Sequence, residues 1–210
     1  MKTKYMETIN QNIISLSNLL SICAKSKLKK FIYASSVYVY SESGSFYRAT
    51  KQCAEILIKE FSKFGNFEYK FLRYGSVYGE RSQPWNGIYK FINEIKKSGK
   101  VTYQGTGNEI RHYIHVKDAA KLTVKAHQLS IDENAISILG DKPITVDQLF
   151  DLIFEICGKK KKVKYLNKIN SDDHYGYSPY RFIPEDSIKI NSNQSIDLGE
   201  GILRLLNSNE

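Results

Sequence analysis

The sequence contains the segment FIYASS at residues 31–36 and the segment YRATK at residues 47–51. Four apolar or aromatic residues that lead into two serines are typical of a buried strand with polar side chains at its carboxyl end. From residue 46 to about residue 64, apolar residues recur every three or four positions, which predicts an amphipathic helix. This part of the sequence therefore predicts a strand, a short loop and a helix.

Tyr47 and Lys51 lie four residues apart at the start of this predicted helix, and a helix places such residues on one face. A tyrosine is a poor base near neutral pH because its ordinary pKa is about 10, but a nearby ammonium favours the phenolate. The hydroxyl of Ser36, at the end of the strand, can hold a substrate oxygen beside the phenol. These residues predict a proton-transfer site. The alternative is a chance pair, because the chain has 15 tyrosines and many lysines.

A second strand is predicted at residues 69–74, after Gly65 and Asn66 end the helix. Two strands joined by a helix form a right-handed unit with a parallel sheet, so the predicted fold class is α/β. Ligands of such sheets bind at the carboxyl ends of the strands, where Ser36 and Ser76 are both predicted to lie.

The remaining sequence alternates between helical and strand patterns. Thr145 is predicted to cap one helix and Asp197 another. Residues 167–195 are loop-rich and polar. Further helices are predicted at about residues 6–25, 86–97, 116–129, 145–157 and 198–206, and short strands at 101–103, 135–139 and 163–165.

The chain has 210 residues and a net charge of +9. The densest basic run, Lys159–Lys162, is short and lacks interleaved aromatic residues, which favours a solvated turn over a nucleic-acid site. A basic protein also suits an anionic small molecule.

No Cys/His cluster has the spacing of a metal site. The sequence shows neither an apolar run long enough for a membrane span nor a secretory signal, so we expect a cytoplasmic protein with buried free thiols.

Four segments, in this order, resemble the extended short-chain dehydrogenases/reductases, often called the NAD-dependent epimerase/dehydratase family. The resemblance implies a partial Rossmann-like parallel sheet flanked by helices, with a small C-terminal α+β substrate lobe. It assigns residues 1–80, returning at about 112–140, to the Rossmann-like domain, and residues 81–111 and 141–210 to the lobe. The matching segments are residues 31–38, 47–51, 72–81 and 105–118.

Carried over residue by residue, the resemblance implies a role for each matching position. Tyr47 matches the catalytic acid/base, and Lys51 matches the lysine that tunes it and binds the nicotinamide ribose. Ser36 matches the residue that holds the reacting hydroxyl or carbonyl. Tyr74 and Ser76 match the segment that lines the nicotinamide and the sugar.

Other positions are predicted to support the substrate or the fold. Arg111 matches the arginine that grips the substrate phosphates, a task suited to a charged donor fork. Asp118 is expected to cap its helix, and His115 to be a buried, hydrogen-bonded histidine. The aromatic group at residues 174–182, which includes Tyr177, is either a packing cluster of the lobe or a lid that contacts the substrate.

The resemblance implies an NAD(P)-dependent epimerase or oxidoreductase that acts on a nucleotide-activated sugar. The sugar 4,6-dehydratases of the family place an Asp-Glu pair just after their Ser/Thr, where this chain has Val37 and Tyr38. This difference argues against dehydration and leaves epimerisation or simple oxidation and reduction.

The family's glycine-rich turn, which takes the cofactor pyrophosphate, has no counterpart, because no glycine precedes Gly44. The chain is then a fragment, a split or truncated reading frame, or one completed by a partner, and we expect it to be inactive alone. The partner is expected to be a complementing N-terminal half, or a second copy bound through helices around 6–25 and 47–64. The alternative function is a catalytically silent homologue that acts in binding or assembly.

Overall fold

The computed structural model describes residues 2–41, 44–129, 134–166, 187–190 and 195–207. A π-helical stretch, Asn10–Ile14, joins the first two helices, and a 3-10 helix, Val37–Tyr40, follows the first strand. The α-helices are α1 (Lys2–Ile9), α2 (Ser15–Lys25), α3 (Ser45–Gly65), α4 (Gly87–Ser98), α5 (Val116–Gln128), α6 (Val146–Ile156) and α7 (Leu198–Asn207). The strands are β1 (Lys30–Ser36), β2 (Glu68–Tyr74), β3 (Ser76–Tyr78), β4 (Val101–Tyr103), β5 (Ile110–Arg111), β6 (Tyr113–His115), β7 (Ala135–Ile138), β8 (Ile144–Thr145), β9 (Val163–Tyr165) and β10 (Ile188–Lys189).

The main sheet has the strand order β1-β2-β7-β10. Strands β1 and β2 are parallel over seven pairs, from Lys30 opposite Glu68 to Ser36 opposite Tyr74. Strands β7 and β10 are also parallel. Three short two-stranded ladders, β3-β6, β4-β9 and β5-β8, accompany the main sheet. The predicted α/β class with a parallel sheet flanked by helices is thus confirmed.

Strand β1 forms one end of this sheet. Within the described ranges it pairs with β2 along one edge. Its first four residues, Lys30–Tyr33, are half-buried and Ala34 is exposed, whereas Ser35 and Ser36 are buried. Parallel strands are usually covered on both faces and paired on both sides, so this apolar edge strand is unusually open.

The chain divides into two compact units, each built from three segments. The first unit comprises Met1–Tyr74, Ala126–Ser137 and Ser171–Lys189, and the second comprises Gly75–Lys125, Ile138–Asn170 and Ile190–Glu210. The domain boundaries expected from the family resemblance stay a prediction.

The core of the first unit forms where α2 and α3 pack on the strands. Leu20, Ala54 and Ile58 are fully buried there, and Phe71 of β2 is buried against them. The apolar positions of α2 and α3 repeat every three or four residues, so one face of each helix is covered.

The core of the second unit is built mainly by α4, α6 and α7. Ile92, Leu149, Phe150 and Ile202 are fully buried in it. The rings of Phe91, Tyr103 and Phe150 meet edge to face, with centroids 4.9–6.0 Å apart.

Both predicted helix caps are confirmed. The Thr145 hydroxyl accepts a bond from the backbone N–H of Gln148 at 3.1 Å, while the Gln148 side-chain oxygen accepts from the Thr145 N–H at 2.8 Å. Asp197 accepts bonds from the N–H groups of Gly199 and Glu200 at the start of α7.

The expectation of buried thiols is wrong for one cysteine. Cys53 is exposed on α3, and Cys23 and Cys157 are half-buried. No helix of the described part of the chain combines the length and apolarity that a membrane crossing needs.

Candidate active site

Tyr47 lies in the first turn of α3. Gly44 precedes this helix with a φ of 142°, a value that glycine adopts without a steric penalty, so the chain turns sharply into α3. The ring of Tyr47 meets that of Tyr38 edge to face, with centroids 6.1 Å apart. Burial raises the pKa of Tyr47, and a side-chain hydrogen bond with Ser36 lowers it in part. Because burial is the larger effect, the phenol stays protonated at neutral pH.

Ser36 reaches Tyr47 from the carboxyl end of β1. The serine is buried, and its hydroxyl accepts a bond from the backbone N–H of Tyr38 at 3.3 Å. Tyr74 lies directly opposite Ser36 at the end of β2. The predicted pairing of serine and tyrosine across a strand end and a helix start is thus present, with Tyr74 in register.

Lys51 follows Tyr47 by one helical turn, on the side of α3 that faces β1. Its ammonium donates to the Ala34 carbonyl at 2.9 Å and to the Tyr33 hydroxyl at 3.3 Å. The ammonium also lies 4.8 Å from the centroid of the Tyr33 ring. Burial lowers the pKa of Lys51, and the negative charge of Glu55 opposes this effect.

Tyr33 is a member of this cluster that the sequence did not reveal. Burial, together with the charges of Tyr47 and Glu55, raises the pKa of Tyr33 to about 12. Its hydroxyl is therefore neutral at physiological pH and accepts the bond from Lys51. The sequence offered only a weak indication that Tyr33 belongs to the site, because an aromatic residue inside a strand is most often a core residue.

A buried ion pair lies one further turn along α3. Arg73 donates to Glu55 through Nε at 3.0 Å and through Nη2 at 2.7 Å. Ser35 donates to the same carboxylate at 2.6 Å. Although burial lowers it, the hydrogen bonds and charge of Glu55 raise the pKa of Arg73 above its ordinary value. Neither residue was predicted from the sequence to belong to the site.

The first unit therefore brings together Ser36, Tyr47 and Lys51, with Tyr74 at the adjacent strand end. Ser76 and Arg111 belong to the second unit. Tyr177 and the aromatic group around it lie outside the described residues.

In the second unit, the N–H of Ser76 donates to the His112 carbonyl at 2.8 Å, which fixes the start of β3. Arg111 is 2% exposed, and its Nη1 donates to the Ile110 carbonyl at 2.8 Å. Its positive charge also opposes the rise in the pKa of Tyr103 that burial causes. Arg111 is therefore part of a buried polar group, a more enclosed position than the turn in the sequence indicated.

His115 is buried as predicted, and its Nδ1 accepts from the N–H of Lys117 at 3.3 Å. Asp118 differs from the prediction that it caps its own helix. Its carboxylate accepts from the backbone N–H of Ile196 at 2.7 Å, so it holds a distant segment of the same unit.

The chain is similar to known proteins along most of its length. UDP-glucuronate 4-epimerase of Thermodesulfobacterium geofontis is 27% identical over 213 residues, which cover 95% of this chain and 65% of that protein. The dTDP-D-glucose 4,6-dehydratase of Dictyostelium discoideum is 31% identical over 131 residues, or 51% of this chain and 30% of that protein. The chain thus spans about two thirds of the length of the first of these relatives and matches a smaller part of the second.

Among solved structures, UDP-glucuronic acid 4-epimerase of Bacillus cereus, in complex with UDP-glucuronic acid and NAD, superposes with a TM-score of 0.79. The match covers 95% of this chain and 67% of that one, at 22% sequence identity, and so shows a common fold. The sequence profile of the NAD dependent epimerase/dehydratase family matches residues 2–138, more than half of the chain. With its strand-end serine and the Tyr47/Lys51 helix inside the matched range, the chain belongs to the NAD-dependent epimerase/dehydratase family.

Proposed function

We propose that this chain carries the proton-transfer groups of an NAD(P)-dependent enzyme that epimerises, oxidises or reduces a nucleotide-activated sugar. The observation that carries the proposal is the hydrogen bond between Ser36 and Tyr47 at the carboxyl end of β1, with Lys51 one turn along the same helix. This is the edge of a parallel sheet at which ligands bind.

Tyr47 is the acid/base in this proposal. Its phenolate accepts the proton of a sugar hydroxyl, and Ser36 holds the oxygen from which that proton leaves. In the absence of ligands burial keeps Tyr47 protonated, so a nearby positive charge is needed to form the phenolate. An oxidised nicotinamide, held by Lys51 and Tyr74, would supply such a charge and the hydride-accepting chemistry.

Lys51 fits the ribose end of the cofactor. A lysine ammonium has three N–H donors, and within the described residues two of them have acceptors, Tyr33 and Ala34. The third is available to a ribose hydroxyl. Tyr74 and Ser76 are proposed to line the nicotinamide. Whether the cofactor is NAD or NADP depends on the adenosine end, for which the sequence offers no candidate residue.

A complementing N-terminal segment is proposed to supply the pyrophosphate site. The open edge of β1 supports this idea, because a parallel strand added there would extend the sheet. The relative from T. geofontis is about half as long again as this chain, which leaves room for such a segment. We therefore expect the chain alone to be inactive.

The substrate is proposed to be a UDP-sugar, because such a sugar appears in the name of the relative from T. geofontis and in the complex from B. cereus. Ser36, Ser76, Arg111 and Tyr177 are proposed as substrate-binding residues. Val37 is buried and apolar where a dehydratase places a carboxylate, so epimerisation or simple redox chemistry is favoured over dehydration.

The test is to coexpress the chain with the N-terminal third of the relative from T. geofontis and to follow UDP-glucuronic acid and UDP-glucose by NMR in the presence of NAD. Tyr47→Phe should lower kcat by about 10²- to 10⁴-fold, because it removes the acid/base. Tyr89→Phe, in the second unit, is the matched control and should keep normal turnover. Near-normal turnover of Tyr47→Phe would reject the proposal.

A second candidate function is that of a catalytically silent assembly partner. It is favoured by the exposed apolar side chains on the first unit, among them Ile22 of α2 and Ile56 of α3. If the wild-type assembly neither binds NAD nor converts a sugar nucleotide, while the chain still associates, this second function is the correct one.

A further inference from the structure

The buried ion pair of Glu55 and Arg73 lies one turn along α3 from Lys51. Burying two charges is energetically unfavourable, so the presence of this pair calls for an explanation. Both side chains are about nine-tenths buried, with 9% and 10% of their side-chain surface exposed. Moving two charges out of water costs several kcal/mol each, and apolar residues of similar size would often be at least as stabilising. A buried pair of this kind is therefore weak evidence for a purely stabilising role.

The position of Glu55 indicates what its charge acts on. It follows Lys51 by four residues on α3, so the two side chains lie on one face of the helix. Lys51 is half-buried at the end of β1, where lost hydration disfavours its charged form. Glu55 supplies the negative charge that offsets this loss.

We propose, on the basis of the function proposed above, that Glu55 is a positioning residue that keeps the Lys51 ammonium charged one helical turn from Tyr47, and that Arg73 sets how strongly it does so. Glu55 does not touch substrate in this proposal. It acts through Lys51.

The carboxylate is held rigidly enough for this role. Arg73 donates two hydrogen bonds to the carboxylate, and Ser35 donates a third. Ser35 of β1 and Arg73 of β2 lie opposite each other in the sheet, so these hydrogen bonds to Glu55 depend on the register of the two strands. The same guanidinium donates through Nη1 to the Tyr40 hydroxyl at 2.7 Å.

Tyr40 extends this network to β7 and to the segment before β10. Its hydroxyl donates to Ser187 at 2.7 Å and lies 3.4 Å from the Ser137 hydroxyl of β7. Helix α3, strands β1, β2 and β7 and the segment before β10 are thus tied to the carboxylate or to its partner. A shift of α3 along the sheet would break several bonds at once.

The charges around Lys51 predict the direction in which each substitution should change its pKa. Within the described residues, Tyr33 of β1 contacts the ammonium and the charge of Glu55 acts on it from the next turn of α3. Tyr47 precedes Lys51 by one turn on the same helix, and Arg73 of β2 is bonded to Glu55. At neutral pH the two phenols are uncharged, so Glu55 is the anion that favours the ammonium and Arg73 is the cation that weakens it. Removing Glu55 must lower the pKa of Lys51, and removing Arg73 must raise it.

The experiment measures the pKa of Lys51 in the intact 210-residue chain by NMR of ¹³Cε-labelled lysine, with the signal assigned by Lys51→Arg. Glu55→Gln should lower this pKa and Arg73→Gln should raise it. Glu60→Gln, an exposed position on the same helix, is the control and should leave it unchanged. If the pair only held the fold together, both variants would loosen the site and move the pKa in the same direction. That result, or no movement, would overturn the proposal.

Loss of one partner leaves the other charge buried and uncompensated, which is strongly destabilising, so either single variant could fail to fold. In that case the double variant Glu55→Gln/Arg73→Gln decides, because it leaves no uncompensated charge. The proposal expects a lower pKa of Lys51 in the double variant. An unchanged or higher value would overturn it.

This titration needs no cofactor, substrate or second polypeptide, so it separates the inference from the proposed function. If Tyr47→Phe abolishes turnover in the completed assembly but the titration fails, only the role of Glu55 is wrong. If the titration succeeds and no turnover is found, the positioning device is real and the proposed function is wrong.

Discussion

At the scale of single residues, the proposed chemistry depends on two opposing effects on the pKa of the Tyr47 phenol. Burial disfavours the phenolate of Tyr47, and the hydrogen bond with Ser36 favours it. The net result is a pKa above the ordinary value, which keeps the Tyr47 phenol uncharged. In the function proposed above, the positive charge of a bound cofactor would favour the phenolate, so proton abstraction would be coupled to cofactor binding.

Replacement of Ser36 by alanine should raise the pKa of Tyr47 further. The serine hydroxyl stabilises the phenolate, so its loss leaves the effect of burial unopposed. The measurement is a pH titration of ¹³Cζ-labelled tyrosine, with the signal assigned by Tyr47→Phe. Ser98→Ala, at an exposed position of α4, should change nothing. A fall in the Tyr47 pKa on loss of Ser36 would contradict this account.

The residues of the site were predictable from sequence where they depend on local spacing. Tyr47 and Lys51 share a helix, and Ser36 ends the preceding strand, so a pattern along the chain is enough to find them. Glu55 and Arg73 meet only because Ser35 lies opposite Arg73 in the sheet. That register is set by tertiary packing, which is why the network around Lys51 was not predicted.

At the scale of elements, most amphipathic helices and apolar strands were predictable to within a residue or two, but the first helix was predicted from about residue 6 and begins at Lys2. Helix α3 was predicted from residue 46 and begins at Ser45, and β2 was predicted from residue 69 and begins at Glu68. The two-residue strands β5, β8 and β10 were not predicted, because two residues carry no periodicity. The π-helical stretch Asn10–Ile14 has no sequence signature either. In the structure, Asn12 within it donates to Thr50 of α3 at 2.9 Å.

The capping box of α6 gives a prediction at this scale. Thr145→Ala should lower the free energy of unfolding by about 1 kcal/mol, because it leaves the first turn of the helix without its hydroxyl acceptor. Urea denaturation followed by circular dichroism measures the change. Thr145→Ser keeps the hydroxyl and should stay within about 0.5 kcal/mol of the wild type. Equal losses in both variants would mean that the methyl group, and not the cap, is responsible.

At the scale of the whole molecule, the first unit presents an apolar surface that its own core does not use. Leu19 and Ile22 of α2 and Ile56 of α3 are 48%, 68% and 62% exposed, although each lies on a helix with a well-buried opposite face. Helices with a second apolar stripe commonly bind another helix. We infer that a second copy of the chain binds here, through helices within residues 6–25 and 47–64.

Charges placed on this surface should therefore dissociate a dimer that forms through it. Ile22→Glu should raise the dimer Kd at least about tenfold, because a carboxylate buried without a partner costs more than 1.4 kcal/mol. Analytical ultracentrifugation measures the change. Leu203→Glu is the matched control, since Leu203 is 47% exposed on α7 in the second unit. A monomeric wild type, or equal effects of the two substitutions, would rule out this interface.

The division of each unit into three chain segments has a consequence for biosynthesis. Strand β2 ends at Tyr74, but its neighbour β7 begins only at Ala135, about sixty residues later. At roughly 5–20 residues per second, a ribosome needs about 3–12 s to deliver that neighbour. During this interval the edge of β2 that later pairs with β7 has no neighbouring strand. We therefore expect that slower translation between these two strands exposes the unpaired edge for longer and increases aggregation of the newly made chain.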